Sequence, residues 1–309
     1  MMKKHIFLII PLVGLVYACP SVKNYYKLFP KSDFSPAEIT ELKMMTYNVR
    51  IFNVNENLNG NMRDSIFNMM SRQDINLACF QEFYYSEKKG KFDTESIVQE
   101  KLGLLNKHKN YTHHMSGGMH SGVAMFTSLP VVNRGVIEFK SDINNTCIYM
   151  DVKIDSDTVR IYNGHFASIR FSGEDYEFIK EQEKEIEFSK RSYSMVKRFA
   201  KLLSVAYKKR TLQLQSVLDH ISASPYPVVL AGDFNDTPVS HTYNQTRKYL
   251  TDSFVESGFG VGATYIGDFP SFRIDYIFHS EELEGADYTT LDYSFSDHRP
   301  IYCKLRVKP

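Results

Sequence analysis

Short apolar runs of strand length, several of which stop at a polar residue, are the feature that most constrains this chain. Residues 42–49 carry Asn48 near their end, and residues 75–80 are followed by Gln81 and Glu82. Residues 122–126 form another such run. Ile148, Met150, Val152 and Ile154 alternate with Cys147, Tyr149, Asp151 and Lys153, the period-two pattern of a strand. Asp155-Ser156-Asp157 then turns the chain into residues 159–166, so the two segments read as a hairpin with His165 near its end. Residues 228–231 precede Asp233 and Asn235, and residues 274–278 and 301–307 are the last strand-like runs. Helical spacing recurs between these runs. Met62, Ile66 and Met70 follow an Asn/Gly-rich loop. Met195, Phe199, Leu202 and Ala206 share one face of a charged insertion at 174–210. A further helix carries Leu214, Val217, Leu218 and Ile221, and ends before Pro225 and Pro227. Strands outnumber helices but alternate with them, which predicts an α+β chain whose sheets are covered by helices.

The 309 residues fit one domain plus extras. The net charge of +1 argues against a protein held to nucleic acid by its overall charge, although a local basic groove stays open. None of the four cysteines forms a CxxC pair, so a zinc or redox motif is not indicated. Cys79, Cys147 and Cys303 lie in apolar strand runs and read as small buried hydrophobes.

Cys19 has a different context. Lys3 and Lys4 precede an almost wholly apolar run at 6–18, shorter than the ~20 residues of a comfortable membrane span. That is the pattern of a signal-peptide core. Val16-Tyr17-Ala18-Cys19 is similar to a lipoprotein cleavage box, with Tyr17 where a small or aliphatic residue is usual. Residues 1–19 are therefore read as a signal peptide, a lipoprotein signal or an uncleaved anchor, with plain secretion a third option. Each places the body of the chain outside the cytoplasm, bound to a membrane in the first readings. Residues 20–40 read as a tether, and residues 41–309 as the catalytic domain.

The polar residues at the strand ends carry the chemistry. Loops and strand ends are where rigid scaffolds present reactive groups. Singly, each has a bland reading: Asn48 and Glu82 as strand-end surface groups, Asp233-Phe234-Asn235 as an Asx turn, Asp275 as a buried strand residue, His165 as a structural histidine. Together they supply hard oxygen ligands for Mg²⁺, a base for water and donors for charge on phosphate. Asp233 would orient water and Asn235 would donate to a phosphate oxygen, with Gly232 letting the backbone approach the ligand. His298, in Ser296-Asp297-His298-Arg299-Pro300, is the candidate general base, and Asp275 the carboxylate that fixes its tautomer. His165 is a second imidazole that could donate to phosphate or act as an acid.

Taken in order, these pieces resemble the endonuclease/exonuclease/phosphatase superfamily over residues 42–307. The matching segments are Thr46-Tyr47-Asn48-Val49, Phe80-Gln81-Glu82, Ser121-Gly122-Val123-Ala124, Gly164-His165, Gly232-Asp233-Phe234-Asn235, Arg273-Ile274-Asp275-Tyr276 and Ser296 to Pro300. The resemblance implies a four-layer α/β/β/α sandwich of two packed, mainly antiparallel β-sheets flanked by helices. It also implies that Glu82 binds the metal with help from Asn48 and Asp297, while Asp233 and Asn235 position water and phosphate and Asp275 and His298 form the base dyad. His165 matches the histidine of the pancreatic-type deoxyribonucleases and bacterial sphingomyelinases, which the apurinic-site repair enzymes lack. Arg50 stands where those repair enzymes carry an acid. The chain is more closely similar to membrane-associated members of Bacteroidetes type, on Tyr47 to Phe52, Gln81 to Tyr85 and Pro270 to Asp275.

The expected activity is a phosphoric ester hydrolase using Mg²⁺ or Mn²⁺, since the ligands are oxygens. A nuclease or other phosphodiesterase is the first reading, a phospholipid or sphingomyelin phosphodiesterase the second, and an inositol- or sugar-phosphate phosphatase the third. Its partners would be a nucleic acid or phospholipid headgroup as substrate, and a membrane through the N-terminus. From another class, a catalytically inactive surface-binding module is the alternative, opposed by the presence of Glu82, Asp233 and His298. The insertion, basic in its second half through Lys197, Lys201, Lys208 and Arg210, reads either as a lid beside the site or as an amphipathic helix packed on the core.

Overall fold

A computed structural model describes residues 24–309 apart from 31–33, 35–39, 57–58, 89, 91, 141, 170, 183–189 and 268–270. The apolar run within 1–19 and most of the expected tether lie outside the described residues. Among the described residues, no helix is long and apolar enough to cross a membrane.

In chain order, a two-residue strand β1 (Tyr26–Lys27) precedes β2 (Leu42–Asn48), α1 (Asn61–Met70), β3 (Leu77–Ser86), α2 (Thr94–Leu102), β4 (Asn106–Met115) and β5 (Met119–Thr127). The second half holds β6 (Val131–Glu138), β7 (Thr146–Ile154), β8 (Asp157–His165), α3 (Gly173–Gln182), α4 (Lys190–Ser222), β9 (Val228–Asp233) and α5 (His241–Thr246). It ends with β10 (Thr251–Asp252), α6 (Ser253–Ser257), β11 (Gly260–Val261), β12 (Asp275–His279), β13 (Leu283–Thr290) and β14 (Ile301–Val307).

Twelve of these strands form two sheets, ordered β13-β14-β2-β3-β5-β4 and β10-β12-β9-β8-β7-β6. Each sheet has one parallel pair, β2–β3 in the first and β8–β9 in the second, and the other pairs are antiparallel. Alternation decides which side chains meet. Leu42, Met44, Leu77, Cys79, Val159, Ile161, Val229, Ala231 and Ile277 turn inward and form the core between the sheets. The opposite face of the first sheet buries Tyr47, Phe80 and Phe83 against Ile66, Phe67 and Met70 of α1 and Val98 of α2. The opposite face of the second buries Tyr162, Leu230 and Phe278 against Leu214, Val217, Leu218 and Ile221 of α4. The four expected layers are thus present.

Three local readings change. The insertion and the helix after it are one 33-residue helix, α4, preceded by α3. Residues 204–214 contain no Gly or Pro to interrupt a helix. The stretch expected to be a tether is partly docked, because β1 pairs antiparallel with β11. Gly232, with φ +133°, is required by its neighbour strand: a Cβ there would lie 2.0 Å from the Gly164 carbonyl oxygen across the β8–β9 pair. The three cysteines of the described strands are buried and free, as expected.

Candidate active site

The inward-facing rows that build the core end in polar groups at one end of the slot between the sheets. Val159, Ile161, Asn163 and His165 share one face of β8, and Val229, Ala231 and Asp233 one face of β9. Register aligns them across the second sheet: His165 lies opposite Asp233, and Asp233 opposite Asp275 at the start of β12. In the first sheet Asn48 lies opposite Gln81 at the ends of the parallel pair. A parallel pair in each sheet brings four strand C-termini to the same end of the molecule.

Glu82 reaches this end through a β-bulge. The β3–β5 register shifts between Phe80 and Phe83, and Glu82 has φ +51°. Asn235 (φ +51°) and the turn Arg50–Asn53 (φ 44° to 55°) are also left-handed. Such conformations cost non-glycine residues about 1–2 kcal/mol each. Burial of Phe52 and the hydrogen bond from Asn53 Nδ2 to the Phe295 carbonyl (3.0 Å) offset this in the turn.

The two sheets join through side chains here. Asn48 Nδ2 donates to Asp233 Oδ2 (3.0 Å) and, more weakly, to Glu82 Oε1 (3.4 Å), while Asn48 Oδ1 accepts the Arg50 N–H (3.0 Å). His165 Nε2 lies 3.9 Å from Glu82 Oε1 and 3.7 Å from Asp233 Oδ2. Asp233 accepts the Asn235 backbone N–H at 2.8 Å. The Asn235 amide donates to the Phe166 carbonyl (3.0 Å) and to Asp233 Oδ2 (3.2 Å), which ties Asp233 to the β8 exit loop. His298 Nδ1 bonds Asp275 Oδ2 at 2.8 Å, and its Nε2 faces Asp233 Oδ2 at 3.9 Å. The Asp297 carboxylate lies on the rim, 3.6 Å from Arg50 Nε, and accepts the Ser296 hydroxyl at 3.2 Å.

The electrostatics follow from burial. Desolvation and the neighbouring Asp275 carboxylate raise the Asp233 pKa above the usual carboxylate range. Burial opposes charging of His298, but Asp275 and Asp233 outweigh it and hold its pKa near about 10.

Several further residues serve the site without having been singled out for a role in it. Gln81 Nε2 donates to Asn163 Oδ1 (2.6 Å) across the slot, and Asn163 Nδ2 returns to the Phe80 carbonyl (2.9 Å). Thr264 Oγ1 accepts the Asp275 N–H (3.1 Å), and the Tyr265 ring meets the His298 ring edge-on at 5.4 Å. Arg210 and Gln213 of α4 grip both loops below the site. Arg210 bonds the Ala167 carbonyl (3.0 Å) and Asp236 Oδ2 (3.1 Å), and Gln213 Oε1 accepts the Ala167 N–H (2.9 Å). A cleft of about 340 Å³ opens beside Glu82 and His165, bordered by Ile51, Thr112, His113 and Asn145. His113 comes from β4, whose polar sequence gives no strand pattern.

The donor set fits a divalent cation. The carboxylates of Glu82 and Asp233 converge on the Asn48 amide, a grouping of hard oxygens that suits a divalent metal. Asp233, Asp275 and His298 also place donor atoms within 4.8 Å of one another, and Asp275 Oδ1 is buried without a hydrogen-bond partner. His298 Nδ1 is already taken by Asp275 there.

Comparison with known proteins agrees with the fold. Structures from Bacteroides thetaiotaomicron and Bacteroides vulgatus, both described as endonuclease/exonuclease/phosphatase proteins, superpose with TM-scores of 0.64 and 0.64 at 16% and 14% identity. They cover 88% and 87% of this chain and 100% and 100% of their own. The human Nocturnin catalytic domain with bound sulfate superposes with a TM-score of 0.60 at 16% identity, covering 87% of this chain and 95% of its own. A search of curated proteins found no significant match. Residues 45–298 match the model of the Endonuclease/Exonuclease/phosphatase family, whose members are in general metal-dependent phosphoester hydrolases, and the chain belongs to that family.

Proposed function

We propose that the chain is a Mg²⁺- or Mn²⁺-dependent phosphodiesterase, held outside the cytoplasm by its N-terminal apolar run. The observation that carries this reading is the convergence of Glu82, Asn48 and Asp233 with the Asp275–His298 pair at one end of the inter-sheet slot. Glu82, Asp233 and Asn48 would hold the cation, with Asp297 on the rim. When bound, it would supply positive charge to phosphate oxygens and to the carboxylates that otherwise keep His298 protonated.

Neutral His298 takes a proton from water at Nε2 while Asp275 keeps its other nitrogen protonated. The water oxygen attacks phosphorus, and the bond to the leaving alkoxide breaks in line. Asp233, fixed by Asn48 and Asn235, orients that water. His165 Nε2 donates to the phosphate or to the departing oxygen.

The cleft bears on substrate. Neutral groups such as Thr112, Asn144, Asn145 and Ser168 line much of it, with a single cation, Lys209, among the described lining residues of the adjoining hollow. A long phosphate backbone is normally bound by cations. This favours a headgroup-sized diester, as in a phospholipid or sphingomyelin, over nucleic acid. Nuclease activity is the second reading; the match of His165 is shared by deoxyribonucleases and sphingomyelinases and fits either.

The test is a panel of plasmid DNA, RNA, phospholipid vesicles and a chromogenic diester, with Mg²⁺ or Mn²⁺, beside Glu82→Gln and His298→Ala. Activity should vanish with chelator, return with Mg²⁺, and fall by about 10²–10⁴-fold in His298→Ala. DNA cleavage without turnover of lipid would reverse the order of the two readings. Metal-independent activity would remove both.

A further inference from the structure

An apolar surface faces outward where the chain arrives from its N-terminal apolar run. β1 and β11 form a small antiparallel ribbon, Tyr26 opposite Val261 and Lys27 opposite Gly260. Phe29 is 77% exposed, and Phe259 and Val261 are each 65% exposed, with Tyr26 and Leu28 beside them. Phe29 and Phe259 lie just outside the two-residue strands, so exposed aromatics flank the ribbon on both of its segments; single exposed hydrophobes are ordinary, while such a grouping is a candidate contact surface.

The ribbon is fixed to the body. Arg273 Nη2 and Nε donate to the Asn24 carbonyl at 2.6 and 3.1 Å, and Asn24 Nδ2 donates to the Pro238 carbonyl at 3.3 Å. Lys27 Nζ donates to the Val255 carbonyl at 2.5 Å. Arg273 is fully buried, paired with Asp252 (2.7 Å) and lying over the Phe254 and Tyr276 rings.

Chain length then limits where the ribbon can be. The apolar run of the sequence ends at Ala18-Cys19, and Asn24 is already hydrogen-bonded to the body. Those five steps span at most about 18 Å fully extended. A bilayer that holds residues 6–18 therefore has the ribbon close to its surface. Aromatic side chains are favoured at that boundary.

We propose that the β1–β11 ribbon is a bilayer-contact surface, with Phe29, Phe259 and Val261 entering the headgroup–acyl boundary. The inference rests on the reading that the N-terminal run holds the chain on a membrane. It adds an orientation. Val261 is three residues from Thr264, about 10 Å of chain at most, and Thr264 supports Asp275 through its hydroxyl. Contact at the ribbon brings the catalytic end of the sandwich to the lipid surface.

The chain contains no Trp, so one introduced Trp reports alone. The full chain carrying Phe259→Trp is reconstituted with phosphatidylcholine vesicles, with and without brominated acyl chains. Phe29→Trp serves as a second reporter, and Leu105→Trp, exposed just ahead of β4, as a control. Co-flotation is scored separately. The expected result is flotation of every variant, loss of most emission at positions 259 and 29 in brominated vesicles, and little loss at 105. Flotation with unchanged emission at 259 and 29 overturns the ribbon contact while leaving the anchor standing. Equal quenching at 105 overturns it too, because the contact is then not specific to the ribbon. A reporter at 259 already blue-shifted without lipid overturns it in favour of the chain's own N-terminal segment covering the ribbon. Failure to float overturns both the anchor and the contact.

Discussion

Asp275 shows how one strand residue can serve fold and chemistry together. Its backbone N–H is taken by Thr264, one carboxylate oxygen by His298 Nδ1, and its other oxygen is buried without a partner. Asp275→Asn keeps the volume but can offer an N–H where the imidazole must donate, which favours the wrong tautomer. The expected outcome is a fall in kcat of about 10²–10⁴-fold with KM little changed, read by steady-state kinetics on a chromogenic diester. A purely structural role would instead lower the melting temperature and leave kcat per folded molecule intact. Glu82 and Asp233 stood out in the sequence because each follows an apolar strand run, His298 because it sits in the dense cluster Ser296 to Pro300, and Asp275 as the carboxylate of the 273–278 segment that could partner it. The bulge that aims Glu82 was not, since the two-to-one pairing of β3 with β5 exists only once the sheet has formed. The contact made by the Asn235 amide was not legible for a related reason. Its partner, the Phe166 carbonyl, is 69 residues away along the chain and adjacent only because β8 and β9 are parallel neighbours.

At the scale of elements, α4 sets the floor of the site. Arg210 is buried beside Asp236 and spans the loops that leave β8 and β9. Removing one partner of a buried ion pair strands the other, so Arg210→Met should destabilise the fold by about 3–5 kcal/mol, measured by urea unfolding. It should also lower kcat, because Ala167 and Asp236 flank the residues that hold Asp233. Edge strands explain what stayed unreadable in the fold. β4 reads Asn-Lys-His-Lys-Asn-Tyr-Thr-His-His-Met, without apolar alternation, because it lies at the edge of its sheet and buries little. Its pairing is supported by charge instead. Burial opposes ionisation of Glu95 in α2, and hydrogen bonds from Lys107, Lys109 and Tyr111 of β4 overcome it, lowering its pKa. A depressed carboxylate stabilises the fold above its unfolded pKa, near the model-peptide value of ~4.3, and that contribution is lost as pH falls through the folded pKa. Melting temperatures across acid pH should therefore fall less steeply in Glu95→Gln than in the parent, from a lower starting value at neutral pH.

At the scale of the molecule, the two sheets are arranged alike, each with one parallel pair near its middle, and the slot between them is closed by Gln81 and Asn163 just beneath the site. Above that floor the cleft beside Glu82 continues past Asn145 and Ser168 to a hollow walled by Leu202, Val205, Ala206 and Lys209 of α4. The long helix is thus both a support packed on the second sheet and one wall of a path to the active end. Its N-terminal part pairs with α3 through the Asp175–Arg198 ion pair (2.7 Å) and the Phe178–Phe199 edge contact. Replacing residues 173–199 by a short Gly/Ser linker removes both partners of each contact. It keeps Arg210 and Gln213 in place, so the catalytic body should still fold. Hydrolysis of a small chromogenic diester should then stay within about threefold of the parent, while kcat/KM on vesicle lipid falls about tenfold, a loss of about 1.4 kcal/mol of binding made by the helical pair beside the wall. The ratio of the two kcat/KM values decides it. A large fall on both substrates with the melting transition preserved would mean that this helical pair supports the chemistry itself, and no change on either would mean that substrates approach from the β4 side alone.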